Sequence, residues 1–185
     1  MTGKYFKGYT IYEPIIDSMG NEVRDKEQFQ LITYKEAWGT QSRTSTNYWG
    51  QLGIQPENFV VMNKQDADLL NIVDGDTVKV TSTSNPEGLH FLDNERSRPI
   101  VGKVQTIQGI RPGVVGISTH FGHWGYGAND VVVDSKVIKG DPIRGLGIHS
   151  NPLFRLDDNL NGTPMSEPIG GSVSFYDSRV NITKV

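Results

Sequence analysis

The sequence predicts a mainly β fold, a small barrel interrupted by long loops. Short β-prone runs recur along the chain, a single stretch carries a clear short-helix pattern, and glycine is abundant at 21 of 185 residues. Much glycine with little helical periodicity implies tight turns and backbone passing close to something. No repeat at a fixed period is found, and a small barrel with excursions is the architecture such strands close into.

Taken in order, residues 1–28 read as an extended arm and residues 29–185 as one domain. Tyr5, Phe6, Tyr9, Ile11, Tyr12, Ile15 and Ile16 are apolar anchors without helical period, expected to pack along the domain's own surface or a neighbour's. Asp17-Ser18-Met19-Gly20-Asn21 has turn composition. Phe29–Tyr34 (FQLITY) is the first strand, and the polar KEAWGTQSRTSTN after it is too long for a hairpin turn and too polar for core. Ordered loops of that kind are often functional.

Phe59–Met62 is a strand, and Asn63 caps a short helix with Asp66 in its first turn, where a carboxylate favours the helix dipole. Ala67, Leu69, Leu70 and Ile72 are expected to form the buried side of that helix. Asp74-Gly75-Asp76 turns the chain into the alternating strand Thr77–Thr81. Ser84–Pro99 reads as a loop and Ile100–Thr106 as a strand. Pro112-Gly113 occupies the centre of a type II turn that feeds the strand Val114–Ser118. The glycine-rich HFGHWGYGAND, the apolar run Val131–Val133 and the GIHSNPLF loop follow, with a last strand near Val173–Tyr176 or Val180–Ile182.

Composition excludes several classes of function. The net charge is −3, the sequence pI is near 5.8, and no basic stretch interleaves with aromatics, so no nucleic-acid partner is expected. With no cysteine, these residues can form no disulfide, thiolate nucleophile or cysteine-ligated iron–sulfur cluster. No apolar run reaches the roughly 18–20 residues of a membrane-spanning helix. The first residues, MTGKYFKGYT, lack the apolar core of a secretory signal.

The run VVMNKQDADLLNIVDGDTVKVTSTS followed by GKVQTIQGIRPGVV carries a resemblance. Its strand ending in Asn63, the Asp66-Ala67 helix, the Gly75-Asp76 turn and Pro112-Gly113-Val114-Val115 occur in a set order. That order resembles the C-terminal molybdopterin-dinucleotide-binding domain of the dimethyl sulfoxide reductase superfamily. The similarity extends upstream to TYKEAWGTQSRT and downstream to HFGHWG, HSNPLF and GGSVSFYDSRVNI. It implies a double-psi β-barrel and part of a bis(molybdopterin guanine dinucleotide) cofactor. The tail TPMSEPIGGSVSFYDSRV and the arm before LITYKEA look most similar to tetrathionate, polysulfide, thiosulfate and arsenate reductase catalytic subunits.

The resemblance also implies partners: the remaining domains of a catalytic subunit, one of which ligates the molybdenum or tungsten, and an iron–sulfur electron-transfer subunit. The implied setting is an exported, membrane-associated complex of anaerobic respiration, with a twin-arginine signal outside this sequence; a cytoplasmic place is the alternative. The isolated chain is not expected to be catalytic.

A long, polar, anionic dinucleotide needs hydroxyls and amides at its phosphates, and Asn, Gln, Asp or aromatic contacts at its rings. No GxGxxG joins a strand to a helix, so a Rossmann-type solution is absent. Aligned to the family loop, Lys35, Gly39, Gln41, Ser42, Arg43 and Thr44 are candidate cofactor contacts; the bland reading is a solvated polar loop. Asp66 is a candidate for a guanine edge against simple helix capping. The resemblance implies that His120, His123 and Trp124 face the cofactor, as the matching loop does in the family, against a buried, hydrogen-bonded histidine or a two-histidine zinc site that lacks a visible third ligand. His149, Ser150 and Asn151 match the segment near the pterin, where an amide pairs with donors and acceptors at once. Phe175-Tyr176 matches the last strand of the family, where its members contact the cofactor, and since a strand aromatic is usually core the resemblance implies only Tyr176.

Two readings from other classes stand beside this one. A self-contained β-barrel hydrolase or isomerase would use His120, His123 or His149, although Ser118 and His120 sit on no nucleophile elbow. A non-catalytic interaction module would use the aromatic arm to dock a partner.

Overall fold

The computed structural model describes residues 8–9, 11–39, 47–93, 95–125, 127–167 and 170–185. Its strands are β1 (Phe29–Tyr34), β2 (Phe59–Asn63), β3 (Thr77–Ser82), β4 (Leu89–Phe91), β5 (Ser97–Pro99), β6 (Val101–Ile107), β7 (Val114–Ser118), β8 (Val131–Val133), β9 (Lys136–Ile138), β10 (Leu156–Asp157), β11 (Thr163–Pro164) and β12 (Arg179–Lys184). Six of them close a barrel in the order β1-β12-β3-β6-β2-β7. Two pairs are parallel, β1 with β7 and β2 with β6, and the rest of the barrel is antiparallel. This is the mainly β, double-psi type of barrel that the sequence led us to expect.

Period-2 alternation builds the wall. β1 buries Phe29 and Leu31, β3 buries Val78 and Val80, and β12 buries Val180 and Ile182. Their side chains meet Val60, Met62, Val104, Val115 and Ile117 in one core cluster. At one end of the barrel, two side chains knit the helix α2 (Lys64–Leu69) to the loop before β7. The Asn63 side-chain oxygen accepts from the Gln65 N–H at 2.8 Å while its amide donates to the Ile110 carbonyl at 2.6 Å. Asp66 accepts from the Gly113 N–H at 2.7 Å. Gly113 has φ +80°, which the second central position of a type II turn requires.

Several expectations need correction. Beyond the polar stretch that follows β1 stands a helix for which no expectation was made, α1 (Tyr48–Ile54), started by Asn47, whose side chain accepts from the Gly50 N–H. Ser84–Pro99 contains the β4–β5 hairpin. On α2 Ala67 is buried, with Ile72 buried just beyond it, but Leu69 is 81% exposed, because so short a helix turns only one narrow face to the core. Tyr176 lies in a turn before β12 and not on a strand.

Residues 11–28 lie along the outside of the barrel. The Ser18 N–H donates to Asp157 at 2.7 Å, the Gln28 N–H to Asn181 at 3.0 Å, and Asp25 pairs with Arg155 at 3.2 Å with both side chains largely buried. Desolvation raises the Asp25 carboxyl above its usual range although Arg155 opposes this. Tyr9 and Tyr12 remain exposed, while Tyr5 and Phe6 lie outside the described residues.

Leu31 has no exposed surface, so Leu31→Ala should destabilise the fold by about 3 kcal/mol. Leu69→Ala should cost less than about 0.5 kcal/mol. Urea unfolding of the two variants measures the contrast.

Candidate functional site

A cavity of about 490 Å³ opens where the parallel strands β1 and β7 end. Thr33, Tyr34 and Lys35 line it from the end of β1, and Thr119, His120, Phe121 and His123 from the loop that leaves β7. His149, Ser150 and Asn151 form the facing wall, with Phe154, Phe175 and Tyr176 completing the rim. Segments widely separated in sequence thus converge on one space, and Lys35, His120, His123, His149, Ser150, Asn151 and Tyr176 are all among the residues singled out above.

The walls are held by backbone geometry. His120 is 3% exposed with φ +70°, a left-handed conformation unusual for a side chain of its size. Its ring lies edge-on to Trp38 at 5.3 Å and beside Phe121 at 4.6 Å. Gly39 leaves the room for that ring, since a Cβ there would overlap the His120 imidazole. Gly122, at φ +69°, donates to the Leu146 carbonyl at 2.9 Å, and a Cβ on it would overlap the backbone between Ile148 and His149.

Beneath both loops lies Asn58, fully buried. Its amide nitrogen donates to the carbonyls of Ser118 at 2.6 Å and Ile148 at 2.9 Å, and its oxygen accepts from the Ile148 N–H at 2.7 Å. One side chain therefore ties the end of β7 to the segment that presents His149 and Ser150. Sequence reasoning missed Asn58, because an asparagine just before a strand reads as a turn residue. His90 was missed too, as a lone histidine in a polar stretch.

His90 belongs to a stack of imidazoles. His149 Nδ1 lies 3.3 Å from His90 Nε2, a hydrogen bond in which one ring must donate and the other accept. The His149 ring centroid is 4.2 Å from that of His123 and 4.7 Å from that of His90. Burial, then His123 and His90, pushes the His149 pKa down to about 3. Burial also lowers His123, with His90 and His120 adding to it, and lowers His90. At neutral pH the wall thus presents uncharged rings. Burial, then Glu36, raises the Tyr34 hydroxyl above its ordinary value. Among the described residues no group of three His, Asp or Glu side chains is arranged to hold a metal.

Other candidates lie elsewhere. Trp124 is not among the residues that line the cavity; the Arg98 guanidinium lies 3.6 Å above its ring and Gly145 packs against it. Asp66 sits at the opposite end of β7, engaged with Gly113, so the structure does not bring it to this cavity. Gln41, Ser42, Arg43 and Thr44 lie outside the described residues. The cavity does contain buried polar atoms that want a ligand: His149 Nε2 and Thr119 Oγ1 find no hydrogen-bond partner among the described residues.

Two measurements follow from this wall. Below its ordinary pKa of 6.5 the unfolded His149 takes up a proton that the folded one refuses down to about 3. Stability should therefore be complete above pH 6.5 and fall as the pH drops through that window, with His149→Gln flattening the profile in urea unfolding. Asn58→Leu strands two carbonyls and an N–H, and should destabilise the fold by about 3 kcal/mol in the same measurement.

Comparison with known proteins places this architecture. Residues 29–87, spanning β1 to β3, match the family model described as "Molydopterin dinucleotide binding domain". One of the subunits of selenate reductase from Mesobacillus selenatarsenatis is 61% identical over all 185 residues, and the chain covers 18% of it. One of the subunits of tetrathionate reductase from Salmonella typhimurium is 26% identical over 158 residues, 83% of this chain and 14% of that protein. The fold is also similar to part of acetylene hydratase from Pelobacter acetylenicus, with a TM-score of 0.52 at 16% identity over 86% of this chain and 19% of that one. The chain thus spans less than a fifth of the curated relatives it matches. The closed barrel, the family match through three of its strands and a relative alike along the whole chain lead to one identity: this chain carries a molybdopterin dinucleotide-binding domain and resembles the C-terminal domain of the dimethyl sulfoxide reductase superfamily.

Proposed function

We propose that this chain is the cofactor-holding domain of the catalytic subunit of an oxyanion reductase, acting on selenate, tetrathionate or a related sulfur or arsenic oxyanion. The observation that carries the reading is the 61% identity, along all 185 residues, to part of a selenate reductase.

The cavity fits a molybdopterin guanine dinucleotide in kind. It offers a lysine and hydroxyls for the anionic part, the Asn151 amide for a ring edge, and unpaired buried atoms on His149 and Thr119. Lys35, Thr119, Ser150 and Asn151 would bind the group, and the His149 ring would meet a heterocycle as an uncharged donor or acceptor, its tautomer set by His90. Gly39 and His120 would shape the wall. When bound, the cofactor supplies the metal centre at which redox chemistry occurs, and the protein contributes position and electrostatics. With no cysteine here, thiolate ligation of the metal would come from another domain. We further place the parent subunit in an exported, membrane-associated complex, receiving electrons from an iron–sulfur partner.

The test uses the complete catalytic subunit that carries these residues. Released oxidised pterin and guanine nucleotide should be stoichiometric with polypeptide, and a viologen-linked assay should show turnover with selenate or tetrathionate. Gly39→Val, which forces His120 from its place, should lower cofactor content about tenfold, equivalent to roughly 1.4 kcal/mol of binding. A correctly folded wild-type subunit without pterin overturns the cofactor reading. Turnover with none of these oxyanions overturns the substrate class.

A further inference from the structure

The excursion between His123 and His149 carries a hairpin that the fold leaves uncovered. β8 and β9 pair Val131 with Ile138, Val132 with Val137 and Val133 with Lys136. Their two-residue connection, Asp134-Ser135, has positive φ at both positions (49° and 63°), as a type I′ hairpin turn needs. Cross-strand partners share a face and successive residues alternate, so Val131, Val133 and Ile138 occupy one face and Val132 and Val137 the other. Every one of these aliphatic side chains is about half exposed or more, from 47% at Val133 to 68% at Val132. An isolated two-stranded hairpin is marginal in water, and contiguous apolar surface on a protein marks an interaction site.

The hairpin is nevertheless held firmly at its base. Lys139 pairs with Asp130 at 2.7 Å, the Gly140 N–H donates to Asp130 at 3.0 Å, and the Asp141 N–H donates to the Gly127 carbonyl at 2.8 Å. A Cβ on Gly140 would overlap the Asn129 backbone, so the two strands leave the domain in close contact. A fixed base with both apolar faces uncovered is a pre-organised ligand for another surface.

We propose that the β8–β9 hairpin docks into the remaining polypeptide of the same catalytic subunit, resting on the reading that this chain is one domain of such a subunit. One observation selects that occupant. The relative that matches all 185 residues has more than four-fifths of its length outside the matched region, the chain covering 18% of it.

The experiment places a photo-crosslinker, Val132→p-benzoylphenylalanine, in the complete catalytic polypeptide, and mass spectrometry maps the products. Crosslinks to the same polypeptide outside these 185 residues are expected. Products joining two copies, products with a separate subunit, or no product at all overturn the proposal. As a second measure, Val132→Asp with Val137→Asp should lower the Tm of the complete subunit by about 4 °C; an unchanged Tm counts against docking. Pterin content is measured on the same irradiated samples. Crosslinking without pterin would overturn the cofactor reading alone, and pterin without crosslinking would overturn the docking alone.

Discussion

The buried amide of Asn58 is the interaction on which the cavity depends. Two of its hydrogen bonds go to Ile148 and one to Ser118, so the exit of β7 and the segment before His149 share this buried anchor. Leaving such backbone groups unpaired in the core would be expensive, and satisfying all of them with one planar side chain fixes their spacing as well. Gly147 fits this arrangement, since a Cβ there would press against the Asn58 oxygen. The barrel supplies rigid strand ends, Asn58 joins two of them below the surface, and the loops above have little freedom to separate.

The imidazole stack gives the cavity wall a different character. Three adjacent rings that stayed protonated would repel one another, and burial excludes that state. What remains is a wall of neutral groups with directional hydrogen bonding, suited to a heterocycle edge. It adds no attraction for phosphate. Positive charge in the cavity lining comes instead from Lys35 at the end of β1. The separation of ring-facing and charge-facing groups follows from which strand end each loop leaves.

Much of the barrel was legible because its strands alternate in sequence as they do in space. Phe29–Tyr34 and Val114–Ser118 emerge with the bounds their patterns imply. The misses have physical causes. Helix α1 contains Gly50 and Gly53, poor helix formers, and depends on the Asn47 cap and the burial of Gln51, neither of which is a periodic signal. The β4–β5 pair has three residues in each strand, too short for alternation to register. At the cavity, loop residues were found through resemblance, whereas Asn58 and His90 act through tertiary contacts that leave no local trace. Asp66 too is engaged by a tertiary contact, its carboxylate accepting from the Gly113 N–H at the other end of β7 from the cavity.

The position of β12 imposes an order on events in time. It lies between β1 and β3, closing the circle with residues 179–184, about 150 residues after the first strand. During synthesis the earlier strands emerge without the partner that seals them, and non-local pairing of this kind is slow to form. Tyr176, whose hydroxyl donates to the Thr33 carbonyl at 3.2 Å, arrives in the same late segment. The cavity therefore has no complete rim until the ribosome has released this stretch, and nothing can be enclosed in it before the polypeptide has been made through β12.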